Sequence, residues 1–258
     1  MKSLVHLLFI PLLALSLPLQ ARAVNGAPIA ENLKLETYRG VTMSGQLRAK
    51  DPENDALCYK LCTPPSKGMI VLQPDGSFTY TPEKRKWGKD YFGYTATDSA
   101  GNVSHEATVI ISLKRQKNKV VYRDLQGHSA EYAAAVLAER GLFVGESLGG
   151  NSYFSPEMPV SRREFQSLCS AVGSPAPGAD PGCLSPITVA QAAVLLAECL
   201  DLHTATAMQP CLNTPSWAQT AIRSLIACRI LPQDLSPEQL LTRSDAAQLM
   251  VRALQFHN

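Results

Sequence analysis

Short runs of alternating hydrophobic and polar residues fill the first half of the chain. Apolar and β-branched runs, such as residues 69–72 and 108–111, are separated by turn dipeptides such as Asp75-Gly76. Short strands with turns at regular spacing over about 90 residues are typical of a β-sandwich. Residues 24–113 are therefore predicted to form an all-β sandwich of six or seven strands.

From residue 120 onward the apolar positions recur with helical spacing. Five stretches place apolar residues at positions i, i+3, i+4 and i+7, which is the pattern of an amphipathic helix. Each stretch is marked by one leucine, in order Leu137, Leu168, Leu196, Leu225 and Leu254. Residues 120–258 are predicted to form an all-α bundle. The basic segment 114–119 is interpreted as a linker, with a binding patch as the alternative.

The chain begins with the features of an export signal. Lys2 precedes an apolar run from Leu4 to Leu19, and Ala21-Arg22-Ala23 has the small-x-small pattern of a cleavage site. The alternative is an uncleaved anchor, but the run contains two prolines and is shorter than the ~20 residues of a spanning helix. We expect cleavage of residues 1–23 and a secreted mature protein without a transmembrane segment.

The charge balance bears on the class of partner. The chain has 24 Lys and Arg residues against 22 Asp and Glu residues, and removal of the signal takes away Lys2 and Arg22, which leaves equal numbers. Nucleic-acid-binding domains usually carry a strong positive excess. We therefore expect no nucleic acid among the partners.

The seven cysteines cannot all pair within one chain, because their number is odd. Cys58 and Cys62 lie too far apart along one predicted strand to bridge each other. Cys169, Cys199 and Cys228 are interpreted as small core residues on helix faces. One or two disulfides in the helical half are the alternative.

Three of the predicted helices begin with the same pattern. A hydroxyl residue is followed three positions later by a carboxylate or amide, as in a capping box. The three starts are Ser161-Arg-Arg-Glu164, Thr188-Val-Ala-Gln191 and Thr242-Arg-Ser-Asp245. The first helix of each unit repeats as well, with Leu137 aligned to Leu225. The pattern predicts two full helix–loop–helix repeats and one extra helix.

A series of motifs in the first half falls in a specific order: Asp51-Pro-Glu53-Asn-Asp55, then Pro74-Asp75-Gly76, then Gly88-Lys-Asp90, then Asp98-Ser-Ala-Gly101. The series resembles the bacterial cadherin-like and Ig-like repeats of surface adhesins. That resemblance implies a spacer or adhesion module. It also implies weak calcium binding by Asp51, Glu53, Asp55 and Asp98. The alternative is that these four acids are ordinary solvated loop residues.

The second half carries another ordered series. Tyr122-Arg-Asp124 begins the first unit, Phe154-Ser-Pro156 lies in its loop, and Ser216-Trp217-Ala218 begins the second unit. Together with the capped starts, the series resembles the S-layer homology (SLH) family. The chain departs from that pattern where Ser129 replaces a tryptophan and Val189 replaces an arginine.

The SLH resemblance implies grooves that bind a wall-attached anionic polysaccharide, the secondary wall polymer. Arg162 and Arg243 would then face sugar carboxylates, because a guanidinium offers a planar fork of donors. Trp217 would stack on a sugar ring, and Asp124 would accept hydroxyl hydrogen bonds or orient an arginine. Alternatively, each arginine pairs with a neighbouring acid and Trp217 lies in the core.

One motif suggests a different class of protein. Residues 145–149 read Gly-Glu-Ser-Leu-Gly, the pattern around the nucleophile of an α/β-hydrolase, which would need a strand before Ser147 and a helix after it. Loop-forming residues follow instead, so no enzyme is expected. The sequence predicts a non-enzymatic protein on a bacterial cell surface, held non-covalently to wall polysaccharide. The alternative is a secreted adhesin or matrix protein whose bundle binds another surface protein.

Overall fold

The computed structural model describes residues 25–118, 120–173, 184–202 and 214–256. The predicted signal segment, together with Cys183, Cys211 and Asn213, lies outside the described residues. Within them, a β-sandwich is followed by a helical region, as the two hydrophobic patterns predict. None of the described helices is long and apolar enough to cross a membrane.

The first region contains nine strands, numbered in chain order. They are β1 (Ile29–Ala30), β2 (Leu33–Tyr38), β3 (Met43–Gln46), β4 (Ala49–Lys50), β5 (Cys58–Thr63), β6 (Gly68–Leu72), β7 (Ser77–Pro82), β8 (Gly88–Thr97) and β9 (Ala107–Lys114). One sheet has the order β2-β9-β8-β5 and the other β3-β7-β6, while β1 pairs with β4. The pairs are antiparallel except for β2 and β9, which run parallel.

An internal polar group organises the sandwich core. Phe78 and Phe92 meet edge to face at 5.5 Å in this core, and the carboxylate of Asp90 is buried as well. Asp90 accepts hydrogen bonds from the Tyr80 hydroxyl at 2.8 Å and from the backbone N–H groups of Ser66 and Lys67 at 2.9 Å each. Burial acts to raise the pKa of Asp90, but these hydrogen bonds outweigh it and hold the pKa below its usual value.

We expect Asp90→Asn to destabilise the sandwich by about 1–3 kcal/mol at neutral pH, because it leaves buried donors poorly matched. A depressed folded pKa contributes stability above the unfolded value of about 3.9, and that stability is lost as pH falls through the folded pKa. The difference in free energy of unfolding between wild type and the variant should therefore shrink as the pH falls below about 4. Urea unfolding at a series of pH values measures this. Glu146→Gln, an exposed control, should track wild type, and a pH-independent gap for Asp90→Asn would contradict the account.

The second region contains five helices at the positions that the periodicity predicts. They are α1 (Glu131–Glu139), α2 (Arg162–Cys169), α3 (Val189–Cys199), α4 (Gln219–Ala227) and α5 (Arg243–Phe256). Short 3-10 turns, Arg123–Leu125 and Ser216–Ala218, precede α1 and α4. Helix α1 packs against α5, and α3 packs against both α2 and α4.

The expectation of an all-α region holds only in part. A hairpin of β10 (Glu146–Leu148) and β11 (Asn151–Tyr153) lies between α1 and α2. Gly149 and Gly150 form its two-residue turn with φ of +56° and +78°, a combination that favours tight hairpins and that glycine adopts without strain. The two consecutive glycines thus allow a β-hairpin to form within an otherwise helical repeat.

The three predicted capping boxes are all present. The hydroxyl of Ser161 accepts from the Glu164 N–H, and the Glu164 carboxylate accepts from the Ser161 N–H at 2.9 Å. Thr188 with Gln191, and Thr242 with Asp245, exchange the same two hydrogen bonds. Each pair satisfies backbone donors that a helix start leaves free, so the starts of α2, α3 and α5 are set locally.

The segments before these caps form a closed ring of backbone hydrogen bonds. Val160 N–H donates to Leu241 C=O at 2.8 Å, Leu241 N–H to Ile187 C=O at 2.8 Å, and Ile187 N–H to Val160 C=O at 3.0 Å. All three side chains are fully buried. An outer set joins the same three segments in the opposite direction: the N–H groups of Arg162, Val189 and Arg243 donate to the C=O groups of Ser185, Gln239 and Met158 respectively. The capped helices are therefore related by an approximate threefold axis through this ring, which we call the central ring.

The sandwich and the helical region contact each other directly. The rings of Tyr38 in β2 and Tyr132 in α1 lie 5.5 Å apart. Thr42 donates its N–H to the Glu131 carboxylate at 2.9 Å, and its C=O accepts from the Tyr132 N–H at 3.0 Å. The Tyr38 hydroxyl donates to the Glu139 carboxylate at 2.7 Å. The pKa of Tyr38 is raised mainly because the phenol is partly buried, and also because it donates to this carboxylate.

We expect Ile187→Ala to destabilise the helical region by about 2–5 kcal/mol, because it opens a cavity at the centre of the ring. Leu184→Ala is the matched control: this leucine lies in the same segment but is 71% exposed, so its loss should change stability by less than about 0.5 kcal/mol. Chemical denaturation followed by circular dichroism compares the two. Similar losses for both variants would rule out the ring as the centre of stability.

Candidate functional site

A cleft of about 260 Å³ lies between α2, α3 and the turn that precedes α4. Its lining residues are Arg162, Gln191, Val194, Leu195, Glu198 and Trp217. Two of them, Arg162 and Trp217, are sequence-predicted site residues. We call this site the Arg162 cleft.

Arg162 is held by its backbone and free at its side chain. It is the first residue after the Ser161 cap, and its N–H donates to the Ser185 C=O at 3.0 Å in the outer set of the central ring. Among the described residues, no hydrogen bond or ion pair engages its half-buried guanidinium. A cation in that state retains its full capacity to bind an anion.

The other polar groups of the cleft lie on α3 and at the start of α4. Gln191 uses its side-chain oxygen to cap α3 at 3.1 Å, so its amide N–H₂ group remains a donor. Glu198, about two turns later, is an exposed acceptor. Trp217 is 59% exposed in its 3-10 turn. The cleft thus combines a cation, an amide, a carboxylate and an aromatic face.

Arg243, the equivalent of Arg162 on α5, is enclosed by protein. Its Nε donates to the Phe154 C=O at 2.7 Å, and its Nη1 lies 3.4 Å from the Glu164 carboxylate. The guanidinium carbon lies 4.3 Å from the centre of the Phe143 ring, which is cation–π distance. The side chain is only 11% exposed. The Arg243 guanidinium therefore makes its contacts within the protein.

Asp124 supports the loop that encloses Arg243. Its carboxylate accepts from the N–H groups of Phe154 at 2.9 Å and Ser155 at 2.6 Å. The four predicted residues therefore fall at two places: Asp124 and Arg243 both bond to the backbone of Phe154, whereas Arg162 and Trp217 line one cleft. Phe143 was missed by sequence reasoning, because a single aromatic residue in a loop belongs to no motif.

We expect Arg243→Ala to lower the free energy of unfolding by about 2–4 kcal/mol, because it removes charged hydrogen bonds and cation–π contacts. Arg162→Ala should change it by less than about 0.5 kcal/mol, since the Arg162 guanidinium has no partner in the described structure. Urea unfolding of both variants measures the difference. Equal stabilities would mean that Arg243 is not a structural cation.

The four acids proposed for calcium lie at one end of the sandwich. Asp51 Oδ1 accepts from the N–H groups of Glu53 at 3.0 Å and Asp55 at 2.9 Å, which stabilises a turn. The Asn25 amide donates to Asp55 at 3.3 Å and Asp98 at 3.0 Å, between the two carboxylates. No cluster of three or more potential metal ligands occurs in the described ranges. Calcium binding stays a prediction of the sequence.

Asp98 and Asp51 differ in how well they are satisfied. Desolvation acts to raise the pKa of Asp98, but hydrogen bonds from Asn102 and Ala100 hold it below its usual value. The second oxygen of Asp51, in contrast, is buried without a partner among the described residues. Asp98 thus serves the turn to β9.

Ser147 lies on an exposed hairpin. It is the middle residue of β10 and pairs with Ser152 of β11. A nucleophile elbow requires a strand followed directly by a helix, whereas here a strand is followed by a two-glycine turn and a second strand. The glycine at 145 has a packing role, because a Cβ there would lie 2.0 Å from the Tyr153 carbonyl oxygen.

Comparison with known families identifies the first region. Residues 25–115 match the bacterial cadherin-like domain. This part of the chain is therefore a bacterial cadherin-like domain, a module of extracellular and surface proteins. The match covers the sandwich and ends before the helical region.

Solved structures give partial matches. The SrpA adhesin from Streptococcus sanguinis is 16% identical over 37% of this chain and 65% of its own, with a TM-score of 0.30. Human protocadherin-24 is 21% identical over 34% of this chain and 44% of its own, with a TM-score of 0.28. An endo-fucoidan hydrolase from glycoside hydrolase family 107 is 15% identical over 36% of this chain and 16% of its own, with a TM-score of 0.29. No curated protein matches the chain.

Proposed function

We propose that this chain is an exported, non-enzymatic surface protein that binds an acidic polysaccharide of the bacterial wall through the Arg162 cleft. The cadherin-like sandwich would act as a spacer or adhesion module beyond that attachment. The observation that carries the proposal is the unpaired Arg162 guanidinium beside the exposed Trp217 in one cleft.

The SLH resemblance supports the proposal independently of the cleft. The motifs of that family supply the caps of α2, α3 and α5, and these caps adjoin the central ring. Family members bind wall polymer in grooves between repeats. The Arg162 cleft lies between two successive capped helices, so under this proposal it would be the corresponding groove of this chain.

Each residue of the cleft has a distinct proposed task. Arg162 would hold a sugar carboxylate with two parallel N–H donors, and Trp217 would cover one face of a pyranose ring. Gln191 would donate to a ring substituent, and Glu198 would accept from a hydroxyl group.

We expect one binding site per chain, although three related positions surround the central ring. Arg243 is enclosed by Phe143 and Phe154, and Val189 offers no cation at the third position. Arg162 is the remaining cation with a free guanidinium among these three described positions.

Co-sedimentation with wall sacculi that carry a pyruvylated polymer tests the proposal. Wild type should pellet with the sacculi and stay in solution with sacculi stripped of polymer. Arg162→Ala and Trp217→Ala should each weaken binding by on the order of tenfold, because a charged hydrogen bond or a stacking surface is lost.

Arg163→Ala is the matched control, since this neighbouring arginine is exposed and lies outside the cleft. It removes the same charge and should bind like wild type. Equal losses for Arg162→Ala and Arg163→Ala would indicate non-specific attraction between charges. Full retention of Arg162→Ala would refute the assigned site.

A second candidate function, binding of another surface protein, is favoured by one observation. Met158, Leu184 and Leu240 flank the central ring and are 52%, 71% and 46% exposed. Apolar side chains grouped on a surface are typical of protein contacts. An adhesin that uses this face would remain in solution with every type of sacculus and would be unaffected by Arg162→Ala.

A further inference from the structure

Two buried cysteines face each other at the far ends of the helices that form the cleft. Cys169 is the last residue of α2 and Cys199 is the last residue of α3. Both side chains are buried, at 0% and 5% exposure, and the structure holds them as free thiols.

The backbone brings these two helix ends into close contact. After α2, the chain passes so near to α3 that a Cβ at Gly173 would lie 2.0 Å from the Cys199 carbonyl oxygen. The two thiols are close enough to affect each other: the neighbouring Cys199 and burial raise the pKa of Cys169, while the neighbouring Cys169 lowers the pKa of Cys199. Buried thiols at the ends of two helices whose backbones approach this closely are placed for oxidation to a disulfide.

The other described cysteines have no such arrangement. Cys58 and Cys62 lie four residues apart on strand β5, about 13 Å along an extended chain, which is too far for a bridge. Cys62 donates its S–H to Thr95 instead. Cys228 is partly buried against the apolar core, and burial raises its pKa.

We propose that Cys169 and Cys199 are joined by a disulfide in the exported protein. The compartment favours it, because surface and secreted proteins fold under oxidising conditions, and a bacterial cadherin-like domain is a surface module. Formation of the S–S bond releases two protons and two electrons from the thiols. A disulfide of a thiol–disulfide oxidoreductase accepts them and becomes a dithiol.

The bond would fix the spacing of the two walls of the Arg162 cleft. Arg162 begins α2, seven residues or about 10 Å before Cys169, and Glu198 directly precedes Cys199. A covalent link between the C-terminal ends of α2 and α3 would keep these two walls together while polymer is bound between them. The existence of the bond does not depend on the nature of the ligand.

Peptide mapping of the full chain, secreted into an oxidising compartment, tests the proposal. Free thiols are alkylated in denaturant without reductant. A protease that cleaves after Glu then cuts at Glu198, and mild acid cleaves the acid-labile Asp180-Pro181 bond, so that Cys169, Cys183 and Cys199 lie on separate peptides. A peptide containing Cys169 linked to the one beginning at Cys199 is expected. Alkylation of both cysteines, or linkage of Cys169 to Cys183, would overturn the proposal.

Thermal unfolding gives a second, independent measurement. Reductant should lower the Tm of wild type by on the order of 5–10 °C, because a disulfide limits the unfolded chain. Cys169→Ala should start at the lower Tm and not respond to reductant, whereas the control Cys58→Ser should respond like wild type. Insensitivity of wild type to reductant would count against the bond. Neither measurement involves polysaccharide, so failure here and failure of glycan binding are distinguishable.

Discussion

The helical region depends on three backbone hydrogen bonds that close on themselves. In the central ring, Val160, Ile187 and Leu241 each donate to one neighbour and accept from the other, and their buried side chains fill the axis. In such a cycle the backbone N–H and C=O groups of all three residues have partners only when all three segments are in place. Because each segment leads into a capped helix, the ring also sets where α2, α3 and α5 begin and how they face one another.

Approximate symmetry supplies three related positions, and local sequence makes each different. The residue after each cap is Arg162, Val189 or Arg243, with its N–H in the outer set of ring bonds in every case. An aromatic pair encloses the arginine on α5, and the arginine on α2 remains free beside Trp217. Repetition thus provides the scaffold, while the loops between the helices decide which arginine keeps a free guanidinium.

Much of this fold could be predicted because it is local. Helical periodicity located the five described helices, and pairs of a hydroxyl residue with a carboxylate or amide three positions later located three of their starts. The different fates of Arg162 and Arg243 could not be predicted, since both follow a cap in nearly the same motif and differ only by contacts with Phe143 and Phe154. The role of Asp90 as an internal acceptor was equally hidden, because a motif shows that an acid is present and not what it contacts.

The direct seam between the sandwich and α1 has a mechanical consequence. Tyr38, Thr42, Tyr132 and Glu131 join the two regions through side chains and backbone as well as through the connecting segment. A force applied to the sandwich would therefore be transmitted to the helices directly through these contacts, and the connecting segment would not have to be stretched first. If the helical region is attached to a surface as proposed, a sideways force on the sandwich would reach that attachment as torque.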